Sequence, residues 1–328
     1  MSLKKLSVII CQGRQDIIPC IESLKQQSLD KDLFEIIIIK DDSVEQQFDE
    51  SLIKSLTVNT KSPTIKRNLG VEESSGKIIN FVDDDEVFPR DYLEKAVSLF
   101  EKKDFDILGG PNIGMINQPF EEYLSDILLK YSLGSGARKK FKSNTKTVQT
   151  SSRDFSTCNL FILKDAFKSL KGFNKKLNYG GEDTEFLYRA EKAEMKFVFE
   201  PSLITWHQRR AFPIKHIKQL FTWGKNNGKL LTLHPSLIFR LDFFFPPIMM
   251  LIIIISAFIL NFYQYVLMIL VGLGLTFLIT FFESKNIKDA FFFTVCFPLH
   301  FLSYSTGLIY TYFGLPLIYR KYKDSKKD

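Results

Sequence analysis

Through the first half of the chain, short apolar runs each give way to a segment of helical spacing. Leu6–Cys11 is β-rich; Ile17, Ile21 and Leu24 then recur at helical spacing through Ile17–Gln27. Pro19 falls in the first turn of that segment, where its missing N–H is tolerated. Glu35–Ile39 reads as a buried strand, and Ser62-Pro63 opens a helix running to about Ser74. Lys77–Val82 is a third apolar strand, Pro89–Phe100 is helical, and Phe105–Leu108 is another short strand. After a polar stretch, Ser156–Leu163, Lys164–Leu170 and Gly181–Lys192 resume the pattern. Strands alternating with helices predict parallel pairing in a doubly wound α/β sheet.

The pattern changes at Phe243. Phe243–Phe282 carries no charge; it is too long for one membrane span and fits two of roughly 20 residues each, with a turn near Asn261–Gln264. Ala290–Tyr319 is a third uncharged stretch, interrupted by Pro298, His300, Gly307 and Gly314. Just before the first apolar stretch, Pro213–Leu231 sets Ile214, Ile217, Leu220 and Phe221 against Lys215, Lys218 and Lys225, which suits an amphipathic helix on a membrane surface. The expected division is a soluble domain over 1–210, a juxtamembrane segment over 211–242, apolar segments near 243–260, 265–282 and 290–319, and a basic tail over 320–328.

Charge sharpens this picture. The chain has 328 residues and a net charge of +7, but residues 203–242 carry +6 and the tail +3, leaving −2 on the first 202. A basic excess confined to the flanks of apolar segments points to a membrane rather than to nucleic acid. It also predicts that those flanks, and the soluble domain with them, face the cytoplasm in a multi-pass protein of the cell membrane. Three complete spans would put the basic tail outside, so either the third segment is re-entrant or broken, or the charge bias does not hold here. The four cysteines show no metal-finger spacing and read as reduced. Leu6–Ile10 is too short for the apolar part of a signal peptide and reads better as the first buried strand. Residues 134–150, polar, basic and rich in Gly and Ser, are expected to form a mobile loop, either a surface excursion or a lid.

Open α/β sheets bind ligands outside the carboxyl ends of their strands. Asp41-Asp42 follows the second strand and Asp83-Asp84-Asp85 the third apolar one. Adjacent carboxylates repel, and a divalent cation completed by substrate phosphates would neutralise them; a solvated acidic turn is the alternative. Asp42 can accept from a base or ribose, or simply close an Asx-turn. Lys66-Arg67-Asn68 begins the next helix and is placed to meet phosphates or solvent. Gly180-Gly181-Glu182-Asp183 opens a later helix, either as a general-base station or as a carboxylate stabilised by the helix dipole. Trp206-His207-Gln208-Arg209-Arg210 either meets a leaving diphosphate or anchors the chain at a membrane interface.

Taken in order, these motifs resemble glycosyltransferase family 2, of the GT-A fold. SVIICQGRQD corresponds to the opening strand and loop, IIIIKDDS to the nucleotide-binding Asp motif, KRNLG to the R-N-x-G helix start, FVDDDEVFP to the D-x-D motif, and GGEDTEFLYR to the E-D motif. The likeness covers residues 6–210, and the apolar part, with FPLHFLSYSTG, is similar to membrane segments of exopolysaccharide and lipid-linked-oligosaccharide members. The resemblance implies a nucleotide-diphosphate sugar donor, Mg²⁺ or Mn²⁺, and a lipid-linked or saccharide acceptor. It implies base binding by Asp42 with Asp41, donor contacts by Arg67 and Asp83, metal ligation by Asp85 with Asp83, and Asp183 as catalytic base of an inverting transfer. Glu182 is implied on the acceptor side, and His207, Arg209 and Arg210 at the diphosphate. Two departures matter. Cys11-Gln12-Gly13-Arg14 replaces the usual Pro-Thr-Tyr-Asn-like run, which leaves nucleotide preference open. The Q-x-x-R-W signature of processive synthases is absent, which argues against a processive polysaccharide synthase. A non-catalytic sugar-nucleotide-binding scaffold is the other alternative, and the intact DDD and GED sequences argue against it.

Overall fold

A computed structural model describes residues 4–13, 16–44, 48, 52–102, 104–135, 139–142, 146–177, 180–239 and 241–324. Along the chain come β1 (Leu6–Cys11), α1 (Ile18–Lys25), β2 (Phe34–Asp41), β3 (Ile53–Val58), α2 (Pro63–Glu72), β4 (Ile78–Val82), β5 (Glu86–Val87), α3 (Tyr92–Lys102), β6 (Ile107–Gly109) and β7 (Asn112–Gly114). Then follow α4 (Phe120–Lys130), α5 (Ser132–Ser135), β8 (Val148–Gln149), β9 (Leu160–Leu163), α6 (Lys164–Ser169), α7 (Glu182–Lys192), β10 (Phe197–Phe199) and β11 (Thr205–His207). Four helices close the chain: α8 (Ile214–Leu233), α9 (Leu241–Ile259), α10 (Phe262–Ser284) and α11 (Ile287–Asp324). The chain divides into two compact units, one of residues 1–116 and 138–208, the other of 117–137 and 209–328.

The first unit is built on an eight-stranded sheet in the order β3-β2-β1-β4-β9-β6-β10-β8, with a three-stranded sheet β5-β11-β7 beside it. Alternation along the strands decides which side chains face which helices. Leu6, Val8 and Ile10 of β1 join Ile36 and Ile38 of β2 in a core with Cys20, Ile21 and Leu24 of α1 and Leu93, Ala96 and Val97 of α3. Ile9, Ile79 and Phe81 point the other way, into a core with Val71 of α2, Phe167 of α6, and Phe186, Leu187 and Ala190 of α7. Both faces are therefore covered, as the apolar runs require. The expected parallel pairing holds for β3, β2, β1 and β4. It fails at β9, which runs antiparallel to both β4 and β6. The chain leaves the sheet after β6 to form β7, touches its edge at β8, and then enters between β4 and β6 as β9, running antiparallel to both.

Part of the stretch expected to be a loop is built into this unit. Val148–Gln149 adds an antiparallel edge strand to β10, and Lys139 pairs with Asp154 at 2.9 Å. The lid reading also involves residues 136–138 and 143–145, which lie outside the described residues.

In the second unit, α8 packs on α11 through glycine. A Cβ at Gly224 would lie 2.1 Å from the Tyr304 carbonyl oxygen, and one at Gly307 equally near that of Phe221. The amphipathic helix expected over 213–231 is thus present, but the face bearing Leu220 and Gly224 is covered by protein. Phe262–Ser284 and Ile287–Tyr312 are long and apolar enough to cross a membrane, while Phe243–Ile259 is a shorter apolar helix. The third apolar segment continues as helix through Pro298. His300 within it is buried; its Nδ1 faces His216 Nε2 at 3.0 Å and its Nε2 the Gly134 carbonyl at 3.1 Å. Of the expected basic tail, residues 325–328 lie outside the described residues.

Candidate active site

Because β1, β2 and β4 run parallel, the loops after them gather at one edge of the sheet. Gln12-Gly13, Asp41-Asp42 and Asp83-Asp84-Asp85 all leave strands there. The acidic turn is held by backbone and side-chain bonds together. The Gly13 N–H donates to Asp84 Oδ2 at 2.7 Å, and the Asp83 N–H donates to Glu86 Oε2 at 2.8 Å. Cys158 lies against the Asp83 side chain, its thiol 3.2 Å from Asp83 Oδ2.

The small sheet carries a third group to this turn. Strand β11 pairs antiparallel with β5, so that His207 lies opposite Glu86, and pairs parallel with β7. His207 Nε2 is 2.9 Å from Asp85 Oδ1. One ligand atom from each of Asp83, Asp85 and His207 lies within 4.8 Å of the others. Two carboxylates and an imidazole are a donor set that can hold a divalent cation. The sequence alone suggested His207 for the diphosphate; the structure groups it with the metal-type carboxylates.

Arg67 joins this station to the next. In α2, Arg67 is buried, and its Nη2 meets Asp83 Oδ1 at 3.2 Å while its Nη1 meets Glu182 Oε1 at 2.7 Å. Burial opposes its charge, but Cys11, Glu182 and Asp83 together outweigh that and drive the guanidinium further towards its protonated form. Glu182 opens α7 behind Gly180 and Gly181, both at φ 83°, a left-handed conformation that favours glycine. Asp183 follows, half-buried, its Oδ1 accepting the Thr184 N–H at 2.7 Å. Asp83 and Glu182 are therefore joined through one guanidinium, and Asp183 follows Glu182 in the chain.

The remaining expected residues fall differently. Asp41 is buried and accepts from Lys66 Nζ at 2.8 Å, from the Ser43 N–H at 3.1 Å and from the Ser43 hydroxyl, while Asp42 is exposed. Arg209 and Arg210 belong to the second unit; there Arg209 Nε donates to Asp126 Oδ1 at 2.7 Å, and the Arg210 carbonyl accepts from Ser125 at 2.6 Å. Sequence reasoning missed Glu86, Asn112, Thr205 and Cys158. Glu86, next to three aspartates, carried a signal of its own; Asn112 and Thr205 did not, because only strand pairing brings them together.

Residues 7–171 match the family model for glycosyl transferase family 2. The chain belongs to this family. It is a glycosyltransferase with a GT-A domain, followed by apolar helices that are candidate membrane spans. Residues 138–217 also match a model described as the N-terminal domain of galactosyltransferase. The family 2 chain is 25% identical over 241 residues to glycosyltransferase AglE of Haloferax volcanii, covering 68% of this chain and 73% of that one. It is 33% identical over 95 residues to an uncharacterized glycosyltransferase of Rickettsia bellii, covering 27% of this chain and 14% of that protein. Among solved structures, S. aureus TarS aligns with a TM-score of 0.46 at 15% identity, over 67% of this chain and 39% of that one. Residues 1-349 of TarS align with a TM-score of 0.47 at 13% identity, over 94% and 92%.

Proposed function

We propose that this glycosyltransferase moves a sugar from a nucleoside-diphosphate donor to a polyprenyl-linked acceptor at the membrane surface, by one inverting displacement. The observation that supports the reading is the Arg67 bridge, whose guanidinium meets both Asp83 and Glu182, the residue before Asp183.

Asp83, Asp85 and His207 would hold a divalent cation, Mn²⁺ or Mg²⁺. When bound, the cation supplies counter-charge for the donor's diphosphate. Asp42, exposed at the end of β2, accepts from the base or ribose, with Asp41 fixing the turn behind it. Arg67 holds the Asp83 and Glu182 side chains in place. Asp183 takes the acceptor's proton as that hydroxyl oxygen attacks the anomeric carbon. The new C–O bond forms on one face while the bond to the diphosphate breaks on the other, so configuration inverts. The two long apolar helices and the basic residues around them support a multi-pass membrane protein with its catalytic unit on the cytoplasmic side.

The test is full-length protein in nanodiscs with Mn²⁺, a panel of nucleotide sugars and a polyprenyl-phosphate acceptor. Nucleoside diphosphate release coupled to acceptor glycosylation is expected for one donor. Neither transfer nor donor hydrolysis with any of them would overturn the reading.

A further inference from the structure

Helix α11 is long and apolar enough to cross a membrane, yet its surroundings differ from those of α10. The most apolar stretch of α10 is 6% buried, that of α11 33%. One stripe of α11 is covered by protein along its length. Asp289 accepts from the hydroxyls of Tyr123 and Tyr131, and Phe293 and Cys296 pack with Leu124 and Leu128 of α4. Further along, His300 meets His216 of α8 at 3.0 Å, and the Tyr304 hydroxyl accepts from Asn227 Nδ2 at 2.8 Å. Thr311 then lies beside Gly228. Positions 289, 293, 296, 300, 304 and 311 share one side of a helix with 3.6 residues per turn.

The opposite stripe is bare. Phe291, Val295, Leu299, Leu302 and Tyr310 recur at helical spacing and are 44% to 61% exposed. The covering helices, in contrast, carry charge on their outer sides: Glu121 and Lys130 of α4, and Lys215, Lys218 and Lys225 of α8, are exposed. Between them, α4 and α8 accompany α11 from Asp289 to Thr311. A crossing α11 would therefore hold charged helices at every depth of the hydrocarbon, where ionised side chains are costly. Lipid on one side and a charged protein layer on the other suit the membrane interface instead. The chain passes from the catalytic unit into segment 117–137 and back, and α4 is too short to cross, so that layer keeps to the catalytic unit's side of the membrane.

We infer that α11 does not cross the membrane but lies in the plane of its cytoplasmic leaflet, with the stripe over 291–310 in lipid and the opposite face under α4 and α8. The inference rests on the membrane placement proposed above and assigns the two crossings to α9 and α10. Helix α9, with 19 residues, is about 28 Å long, close to the ~30 Å of a hydrocarbon core. An in-plane α11 also keeps the turn at 285–286 and the basic tail on one side, which removes the conflict between three spans and the charge bias.

Depth measurements test it. A spin-labelled non-natural amino acid replaces Phe291, Val295, Leu302 or Tyr310, one at a time, in full-length protein in nanodiscs. Collisions with oxygen and with a water-soluble nickel chelate read its depth by electron paramagnetic resonance. All four labels are expected at one depth, about 5–10 Å below the headgroups. A crossing helix steps by about 1.5 Å per residue, so labels at 291 and 310 found in opposite leaflets overturn the inference, as does a series that deepens to the bilayer centre and returns. A second measurement leaves α11 unaltered. Epitopes at either terminus and in the turn at 260–261 are probed with antibody in right-side-out and inverted vesicles. Both terminal epitopes are expected on the cytoplasmic side and the turn on the other; terminal epitopes on opposite sides overturn the inference. If both are reached only from outside, the cytoplasmic placement falls while the in-plane helix stands. Labels that meet no lipid at any position overturn the inference together with the membrane placement.

Discussion

Arg67 Nη1 donates to Glu182 Oε1 at 2.7 Å, and both side chains are shut off from solvent. The same guanidinium reaches Asp83 with its other nitrogen. Helix α2 thus ties the acidic turn after β4 to the start of α7, two segments about a hundred residues apart in sequence. Removing the arginine leaves two carboxylates without their shared counter-charge in a low-dielectric setting.

Arg67→Met should therefore cost about 3 kcal/mol or more of stability, and should weaken Mn²⁺ binding as well as transfer. Arg67→Lys restores the charge but not the fork, since one ammonium cannot reach both carboxylates in fixed geometry. It should recover stability more than activity. Thermal unfolding and kcat/KM on both variants check this; a lysine variant with wild-type kcat/KM would show that the fork is unimportant.

Asp183→Asn should separate binding from chemistry. The amide keeps the shape of the side chain and its place beside Thr184 but cannot take a proton. Transfer should fall by roughly 10²- to 10⁴-fold, while nucleotide affinity, read by calorimetry with the nucleoside diphosphate, stays within a factor of about two. An active Asp183→Asn would remove it as the base.

Much of this site was legible in the chain because parallel strands convert sequence order into spatial order. Once Leu6–Cys11, Glu35–Ile39 and Lys77–Val82 read as parallel strands, the carboxylates after them had to share an edge. Gly180-Gly181 before Glu182 likewise announced a turn into a helix. What stayed hidden depends on pairing between short segments with little periodicity. Strands β5, β7 and β11 have two or three residues each, and only their register sets Thr205 beside Asn112 and His207 beside Glu86. The reversal at β9 was hidden for a related reason: LFIL is apolar on both faces and looks the same in either direction. Segment 117–137 grouped with the C-terminal helices because Tyr123 and Tyr131 both bond Asp289, a partner more than 150 residues away.

The contact of α8 with α11 predicts a sharp size limit. At Gly224 and Gly307 the two backbones approach so closely that a Cβ meets a carbonyl oxygen rather than a movable side chain. Gly224→Leu or Gly307→Leu should destabilise the second unit by at least about 3 kcal/mol. Gly272→Leu, where a Cβ meets nothing within 4 Å, should be neutral. Thermal unfolding in detergent compares them, and equal tolerance at the three positions would contradict the packing.

The Lys66–Asp41 pair predicts how the catalytic unit responds to acid. Burial raises the Asp41 pKa, but the bonds from Lys66 and Ser43 outweigh it and bring the group from 3.8 down to about 2. A carboxyl that is more acidic folded than unfolded binds fewer protons in the native state. Its contribution is fully present above about pH 4 and is lost as pH falls towards 2. Asp41→Asn removes that titration and leaves Lys66 buried without a counter-charge. The variant should melt at a lower temperature than the wild type at pH 6, by an amount that shrinks as both are taken to pH 3, because the wild type loses what the variant never had. Melting curves that stay parallel across that range would show that the pair does not govern the acid response.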